Sequence, residues 1–255
     1  VLDFLLLAIP FVIGLLSSSI KDDCYIKEGA IFYVLIPVVT VFFSSSLGLL
    51  IGSLFSKRGF LFGSFILVAI ICYSLWKLYN DPQIFSFNAV FGFFPGPLYD
   101  ESIPITFTLV VYRLITVCWG LFFLTILGVI RGIKFKVLKA WDLLALFILI
   151  LILIITEIKE EELGISYTRK YITDNILTGS VETEHFVIYF KPGTTEANSI
   201  SLIANDHEWR YYQLKEFLQV NLNDKIRSYI YPDTETRKRI IGAGETTIAN
   251  PIHKE

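Results

Sequence analysis

Five long runs of apolar residues fill the first three-fifths of the chain, and almost no charge interrupts them. An α-helix rises about 1.5 Å per residue, so about 20 apolar residues cross a hydrocarbon core about 30 Å thick. The pattern therefore predicts a polytopic α-helical membrane domain over residues 1–158, embedded in the lipid bilayer of the cell membrane. Its five transmembrane helices are expected at residues 4–20, 30–55, 59–76, 104–130 and 141–158.

Basic and acidic residues alternate between the short loops that join these runs. The loops after the second and fourth runs hold six basic residues and no acidic one: Lys57, Arg58, Arg131, Lys134, Lys136 and Lys139. The loops after the first and third runs hold three basic and six acidic residues. Because Lys and Arg are enriched in cytoplasmic loops, we expect a cytoplasmic N-terminus and an extracytoplasmic location for residues 159–255.

Residues 80–103, between the third and fourth runs, cannot form a straight helix. Pro82, Pro95 and Pro97 break helical hydrogen bonding, and Gly92 and Gly96 favour turns. Aromatic residues surround these positions, as is typical of segments that lie at the level of the lipid headgroups. The pattern favours an interfacial connector; a gate, a re-entrant segment or a docking surface is the alternative.

Arg113 is the one charged residue deep within a predicted span. Ionisable side chains are costly inside a bilayer and usually face a partner or a cavity. Asp100 and Glu101 are candidate partners if the preceding loop folds inward. These three residues are therefore candidate intramembrane or gate residues, and a structural pair that locks the helix against a neighbour is the equal alternative.

The polar remainder of the chain predicts a partial α/β domain. Residues 159–180 are mixed and polar, as expected for a stalk, and residues 181–255 follow a β-α-β-α-β order. The predicted elements are a strand at 185–190, a helix from 194 or 195 to about 220, a strand at 225–231, a short helix ending at 242 and a third strand at 245–250.

The composition also indicates that the first part of the chain contacts lipid and that the second part contacts water. Residues 1–157 carry 19 charged residues and residues 158–255 carry 27, although the first part is the longer. A net charge of −2 without a basic stripe gives no indication of nucleic-acid binding. The three cysteines lack the spacing of a metal site or a disulfide framework. Because the chain opens within an apolar run, we expect it to be a fragment of a longer protein.

One string resembles a zinc-protease motif without completing it. His207 and Glu208 are followed by Tyr211 where the motif needs its second histidine. His207 also falls on the apolar stripe of the predicted helix. We therefore expect a buried, hydrogen-bonded histidine and not a metal ligand.

The order of elements in Val181–Glu255 resembles the opening of peptidase MA-like (gluzincin) domains. The resemblance lies in the strand Thr183–Phe190, the long helix, the strand Lys225–Pro232 and the closing Gly244–Ile252. In such domains a zinc-binding helix with His-Glu-x-x-His follows shortly afterwards. The resemblance therefore implies that zinc would be held by residues beyond Glu255 in the full-length protein. It places no catalytic residue, metal ligand or cofactor on this chain, which is not expected to be active as given.

These patterns lead to a principal hypothesis and one alternative. The principal hypothesis is a fragment of an integral membrane protein with an extracytoplasmic metallopeptidase-like domain, acting on a peptide or protein substrate outside the cytoplasm. The alternative is a membrane transporter or permease component with an extracytoplasmic binding or docking domain. Nothing in the sequence indicates the oligomeric state.

Overall fold

The structure is a computed structural model, and it describes residues 2–20, 26–55, 57–96, 104–219, 222, 224–244, 248–250 and 253–254. The chain forms two compact units. The helical unit comprises Val1–Tyr79 and Phe85–Ile165, and the α/β unit comprises Asn80–Ile84 and Ser166–Glu255.

The helical unit contains long helices at the predicted positions. The helices are α1 (Leu2–Ile20), α2 (Ile26–Tyr33), α3 (Val39–Leu54), α4 (Gly59–Asn80), α5 (Phe107–Lys134) and α6 (Ala140–Ile158). A π-helical turn, Val34–Val38, joins α2 to α3, so Ile26–Leu54 is one continuous helix of 29 residues.

Four helices of the described residues are long and apolar enough to cross a membrane: Ile26–Leu54, α4, α5 and α6. They correspond to the second to fifth predicted spans. The first predicted span is also helical, as α1, and the described apolar part of that helix, Leu5–Leu16, is shorter. Helix α5 starts at Phe107, after Thr106 caps it by accepting a hydrogen bond from the Leu109 amide at 3.1 Å.

Small residues let α3 and α5 approach each other closely. A Cβ atom added to Gly120 of α5 would lie 2.5 Å from the ring of Phe42, so any larger residue there would force a shift at this contact. Ser46 is 2% exposed, and its hydroxyl donates a hydrogen bond to the Phe42 carbonyl at 2.7 Å. This is the packing role expected of serine in the spans, because a hydroxyl satisfied by its own helix can be buried against a neighbour.

The connector between α4 and α5 contains a hairpin that the sequence pattern did not predict. Strands β1 (Ser86–Asn88) and β2 (Gly92–Phe94) pair antiparallel, with Phe87 opposite Phe93. Asn88 holds the turn, because its side-chain oxygen accepts hydrogen bonds from the amides of Val90 at 2.7 Å and Phe91 at 3.0 Å. No helix forms in residues 81–96, as the prolines predicted.

The α/β unit has a three-stranded sheet in the order β3-β4-β5. Strands β4 (Phe186–Phe190) and β5 (Ile226–Ile230) are parallel, and β3 (Gly179–Glu182) pairs antiparallel with β4. The other elements of the unit are α7 (Arg169–Tyr171), a π turn (Ile172–Ile176), α8 (Thr195–Asn198), α9 (Ile200–Leu218) and α10 (Thr234–Ile241).

The two predicted strands are present, and so is the short helix that ends before Gly242. The predicted helix from 194 or 195 to about 220 is divided at Ser199 into α8 and α9, and the third strand is elsewhere. Residues 248–250 are not a strand, and residues 245–247 lie outside the described residues. The additional strand is β3, which begins within the expected stalk 159–180. That segment also buries Ile172 and Leu177 completely, so from Ser166 onward it is part of the folded unit.

Helix α9 covers the sheet with one face. The core comprises Phe186, Ile188, Ala204 and Tyr211, with Val181, Ile200, Ile226 and Ile230 packed around it. The predicted apolar stripe of this helix is buried only in part, since Leu214 and Leu218 near its end are 56% and 57% exposed.

Residues 80–84, which are the last residue of α4 and the four residues after it, belong to the α/β unit. We call the contact region formed by residues 80–84, residues 166–169 and Ile241 the clasp. Its hydrogen bonds are Ile84 N to Ile241 O (2.8 Å), Tyr167 N to Gln83 Oε1 (2.9 Å), Ser166 Oγ to Asp81 Oδ2 (3.0 Å) and Arg169 Nη1 to Asn80 O. Gln83 and Ser166 are 4% and 2% exposed, so the clasp is a packed part of the unit.

Candidate functional site

Arg113 is 1% exposed and lies in a cluster of buried polar groups in the helical unit. Pro37 has no N–H to donate, and its ring conflicts with a carbonyl one turn earlier, so the helix widens around it. Two carbonyls of this widened turn accept from the guanidinium: Leu35 O from Nε at 2.7 Å and Ile36 O from Nη2 at 3.0 Å. Thr40 Oγ1 accepts the second Nη2 hydrogen bond at 2.8 Å.

The hairpin supplies the remaining acceptors. Nη1 of Arg113 donates to the carbonyl oxygens of Asn88 and Ala89 at 3.4 and 3.5 Å. A guanidinium has five N–H groups, and each of them now has an acceptor. Asn88 itself is anchored to α4, because its side-chain nitrogen donates to Ser74 Oγ at 2.7 Å. The cluster therefore ties together the π turn, the hairpin, α4 and α5.

The predicted partners of Arg113 are not part of the described cluster. Asp100 and Glu101 lie outside the described residues. Among the described residues, Arg113 contacts backbone and hydroxyl oxygens and forms no ion pair. It also lies about 9 Å of helix from the start of α5, because that helix begins at Phe107 and not at Pro104. The full set of hydrogen bonds favours the structural alternative, in which Arg113 locks α5 against its neighbours.

A second charged contact joins two helix ends of the same unit. Lys77, in the last turn of α4, forms an ion pair with Glu160, just after α6, with Nζ 2.7 Å from Oε2. The Lys77 ammonium also lies 5.4 Å from the centre of the Tyr73 ring. The C-terminal ends of α4 and α6 are therefore neighbours.

In the α/β unit, a histidine and a carboxylate contact each other twice. Glu208 of α9 accepts from the His185 amide at 2.8 Å with Oε1, and its Oε2 lies 2.7 Å from His185 Nδ1. The His185 ring stacks on Tyr211 with a centroid distance of 3.9 Å. Burial acts to raise the pKa of Glu208, but hydrogen bonds from Thr183 and from the backbone and ring of His185 lower it below its ordinary value overall.

His207 is hydrogen-bonded, as the sequence predicted, but it is half-buried and not fully buried. Its Nδ1 lies 2.9 Å from the Ile203 carbonyl, which can only accept, so Nδ1 carries the proton in the neutral ring. Nε2 then accepts from Ser228 Oγ at 3.0 Å. Both nitrogens are occupied within the fold, and Glu208 is turned toward His185.

The described residues do not provide a zinc site. No group of three or more His, Cys, Asp or Glu side chains within them is arranged to hold a metal ion. A catalytic zinc requires three protein ligands.

The acceptors of Arg113 and the His185–Glu208 pair were not found from the sequence. Thr40 and Asn88 lie 73 and 25 positions from Arg113, and Glu208 lies 23 positions from His185. No short motif links residues so far apart. Only the identity of Arg113 as a lone charge in an apolar run was available as a signal.

Within the described residues, the fold defines a general class: a chain with four helices long and apolar enough to cross a membrane, together with an α/β unit. Comparison with protein-family models, with curated proteins and with solved structures finds no match.

Proposed function

We propose that the chain is part of a multi-pass protein of the cell membrane, with five spanning helices, a cytoplasmic N-terminus and an extracytoplasmic α/β unit. The observation that supports this proposal is the large exposed apolar surface of the helices. Helix α4 has no buried residue, and Phe60, Phe65 and Trp76 are 85%, 72% and 64% exposed. Apolar surface of this extent is a liability in water and is stabilised in lipid.

The contacts around the helix ends support the alternating topology. The clasp holds residues 81–84, which follow α4 in the chain, to residues 166–169, which come after α6. The Lys77–Glu160 pair joins the ends of the same two helices. Both observations support a topology in which α4 and α6 end on one side of the bilayer, as they do when α5 and α6 both cross it. The six basic residues of the intervening loops then lie on the cytoplasmic side.

Extraction from native membranes tests the insertion. We expect the chain to sediment with membranes after an alkaline wash and to need detergent for release. A chain that is monodisperse in buffer without detergent would remove the proposal, because such a chain cannot expose α4 to water.

For the α/β unit we propose the opening part of a metallopeptidase-like domain that acts on peptides or proteins outside the cytoplasm. The support is the order of elements: β4, then the long helix α9, then the parallel strand β5. This is the order that the resemblance to gluzincin domains implies. Arg113 and the loop 91–101 motivate the transporter alternative. A guanidinium with five occupied donors does not favour Arg113 as a charge that lines a path.

The coding sequence downstream of Glu255 tests the peptidase proposal. We expect a helix with His-Glu-x-x-His within about the length of one domain, roughly 100–200 residues. We also expect stoichiometric zinc in the purified full-length protein, lost when the first histidine of that motif is replaced. A continuation without the motif and without bound zinc would overturn the proposal and leave the membrane topology untouched.

A further inference from the structure

The turn between α5 and α6 holds four basic residues within nine positions of the helical unit. Arg131 and Lys134 end α5, and Lys136 and Lys139 lead to the start of α6. We call residues 131–139 the basic turn. All four basic residues are exposed, and among the described residues none of them forms an ion pair. Their charges are therefore available to a ligand.

The backbone of the basic turn brings these charges close together. The Val137 amide donates to the Gly132 carbonyl at 2.8 Å. A Cβ atom added to Gly132 would lie 3.1 Å from the Cα of Leu138, so the Cα atoms of Gly132 and Leu138 are within about 5 Å of each other. Because adjacent Cα atoms are about 3.8 Å apart, the Cα atoms of Arg131 and Lys139 lie within about 12 Å. An extended chain would separate them by about 26 Å.

Lys136 occupies a backbone position that usually selects glycine. Its φ is +56°, in the left-handed region, and it directly follows Phe135, the C-cap residue of α5. Glycine is preferred there because it has no Cβ atom. The chain therefore carries a positive charge at a position where the backbone alone would favour an uncharged residue.

Little negative charge opposes the basic turn. Residues 131–142 carry four basic residues and one acidic residue, which gives a net charge of +3. The acidic residue, Asp142, caps α6, since its Oδ2 accepts from the Lys139 backbone amide at 3.1 Å. Lys134 Nζ lies 5.8 Å from the centre of the Phe135 ring, which is a contact with an aromatic face and not with a carboxylate.

The length of α5 places the basic turn at the level of the headgroups if the helix spans the bilayer as proposed. Helix α5 has 28 residues and is about 42 Å long, about 12 Å more than the hydrocarbon core. A centred helix therefore extends about four residues beyond the hydrocarbon at each end. Phe135 and Trp141 flank the lysines and are 67% and 75% exposed, as is typical of aromatic residues at this level.

We propose that Arg131, Lys134, Lys136 and Lys139 form a binding site for the anionic headgroups of phospholipids. This inference rests on the proposed membrane insertion. Clustered basic side chains next to the end of a membrane helix attract anionic lipids, and each one strengthens the attraction about fivefold. The closed turn holds the four charges near one another before any lipid binds, so less order has to be gained on binding.

Quenching of tryptophan fluorescence by brominated lipids tests the site in the full chain. Trp76, Trp119 and Trp209 are replaced by phenylalanine, so that Trp141, two residues from Lys139, reports on the nearest lipids. Phosphatidylcholine vesicles contain a small fraction of either brominated phosphatidylglycerol or brominated phosphatidylcholine. We expect Trp141 to favour phosphatidylglycerol at least about fivefold, which is the effect of one basic residue. The preference should disappear near about 1 M salt, where the Debye length is about 3 Å.

A second single-tryptophan form provides the control within the same fold. It keeps only Trp76, which is 64% exposed near the end of α4. The neighbouring basic residue, Lys77, is paired with Glu160. We therefore expect the two brominated lipids to quench Trp76 equally.

Matched charge variants identify the residues. In the Trp141 form, Lys134→Gln with Lys136→Gln should lower the preference for phosphatidylglycerol at least about fivefold. Lys170→Gln with Lys191→Gln removes the same charge from exposed positions of the α/β unit and should leave the preference unchanged. Glutamine keeps an unbranched side chain at Lys136, so the left-handed backbone is not strained further.

Three outcomes would overturn the headgroup site alone. They are equal quenching of Trp141 by the two lipids, an equal loss of preference in both pairs of variants, and a preference that inorganic phosphate removes but chloride at the same ionic strength does not. The last outcome would assign the site to soluble phosphate. Absence of quenching at both Trp141 and Trp76 in vesicles made entirely of brominated phosphatidylcholine would instead show that the chain is not inserted, and the proposed topology would fail together with this inference.

Discussion

At the scale of single residues, Arg113 shows how the backbone can satisfy a buried charge. Burying an unpaired ionised group costs many kcal/mol. Here the widened turn around Pro37 offers the Leu35 and Ile36 carbonyls, and the hairpin offers two more. Hydrogen bonds to charged groups contribute about 1.5–3 kcal/mol each. Several elements thus hold the guanidinium. Removing it would remove the hydrogen bonds that join these elements to α5.

We predict that Arg113→Leu lowers the stability of the helical unit by about 3 kcal/mol or more, because several buried oxygen acceptors lose their donor. Arg113→Lys should recover only part of this loss, since an ammonium has three donors on one atom and cannot match the planar fork. Thermal unfolding in detergent, followed by circular dichroism, measures the change. Arg131→Gln is the control: Arg131 is exposed in the last turn of α5, and its replacement should change stability by less than about 0.5 kcal/mol. Equal melting temperatures of Arg113→Leu and wild type would contradict the stabilising role of the Arg113 cluster.

A second residue-scale prediction concerns Glu208 and pH. Its pKa is lowered in the folded state, so the ionised carboxylate stabilises the fold above the ordinary pKa of glutamate, about 4.3. That stabilisation should be lost as the pH falls from about 5 through the lowered folded-state pKa. Unfolding of the α/β unit, followed by Trp209 fluorescence between neutral and acidic pH, should show this loss in wild type. In Glu208→Gln the stability should be lower at neutral pH and should change less with acid; an identical pH dependence in both proteins would contradict the prediction.

At the scale of elements, the hairpin packs against the π turn at Gly92. Gly92 has φ +84°, which disfavours any side chain, and an added Cβ would lie 2.6 Å from Ile36 Cγ2. Ile36 is the residue whose carbonyl accepts from Arg113. The close approach of β2 to the π turn and the position of the Arg113 acceptors therefore depend on the same contact.

We predict that Gly92→Ala destabilises the helical unit by about 1–3 kcal/mol, since the left-handed conformation and the close contact both penalise the methyl group. Gly63→Ala in α4 is the matched control. An added Cβ there meets nothing within 4 Å, and alanine favours the helix by about 1 kcal/mol, so stability should be unchanged or slightly raised. Melting temperatures of the two variants in the same detergent measure this difference in stability. A neutral Gly92→Ala would mean that β2 does not pack on the π turn.

Some elements were predictable because their pattern is long. The runs at 30–55, 104–130 and 141–158 predicted helices whose ends differ by only a few residues from those observed. The hairpin was not predictable, because three residues in each strand cannot display an alternating pattern. Strand β3 has the sequence Gly-Ser-Val-Glu and owes its conformation to pairing with β4, a contact that local sequence does not encode.

The same limit applies to the candidate site. Arg113 was identified because a charge in an apolar run is conspicuous. Its partners were not, since four of its five acceptors are backbone carbonyls, which every residue possesses. The sequence indicated the carboxylates of Asp100 and Glu101 as partners, whereas the widened turn around Pro37 supplies two of the acceptors.

At the scale of the whole molecule, the distribution of charge and the contacts of the clasp support the topology that we propose. Residues 81–84 and 166–169, which meet in the clasp, come after α4 and α6 in the chain. In the proposed topology the loop between α5 and α6 lies on the other side of the bilayer. That loop carries Lys136 and Lys139 and no acidic residue, as expected for the cytoplasm.

Labelling with a membrane-impermeant thiol reagent tests this topology most directly. In a background with Cys24, Cys72 and Cys118 replaced, single cysteines are introduced at Ser180, exposed in the α/β unit, and at Val137, which is 65% exposed between α5 and α6. In intact cells we predict labelling of Ser180→Cys at once and of Val137→Cys only after permeabilisation. Labelling of Val137→Cys alone in intact cells would contradict the proposed orientation, and equal labelling of both sites would contradict the proposed membrane insertion.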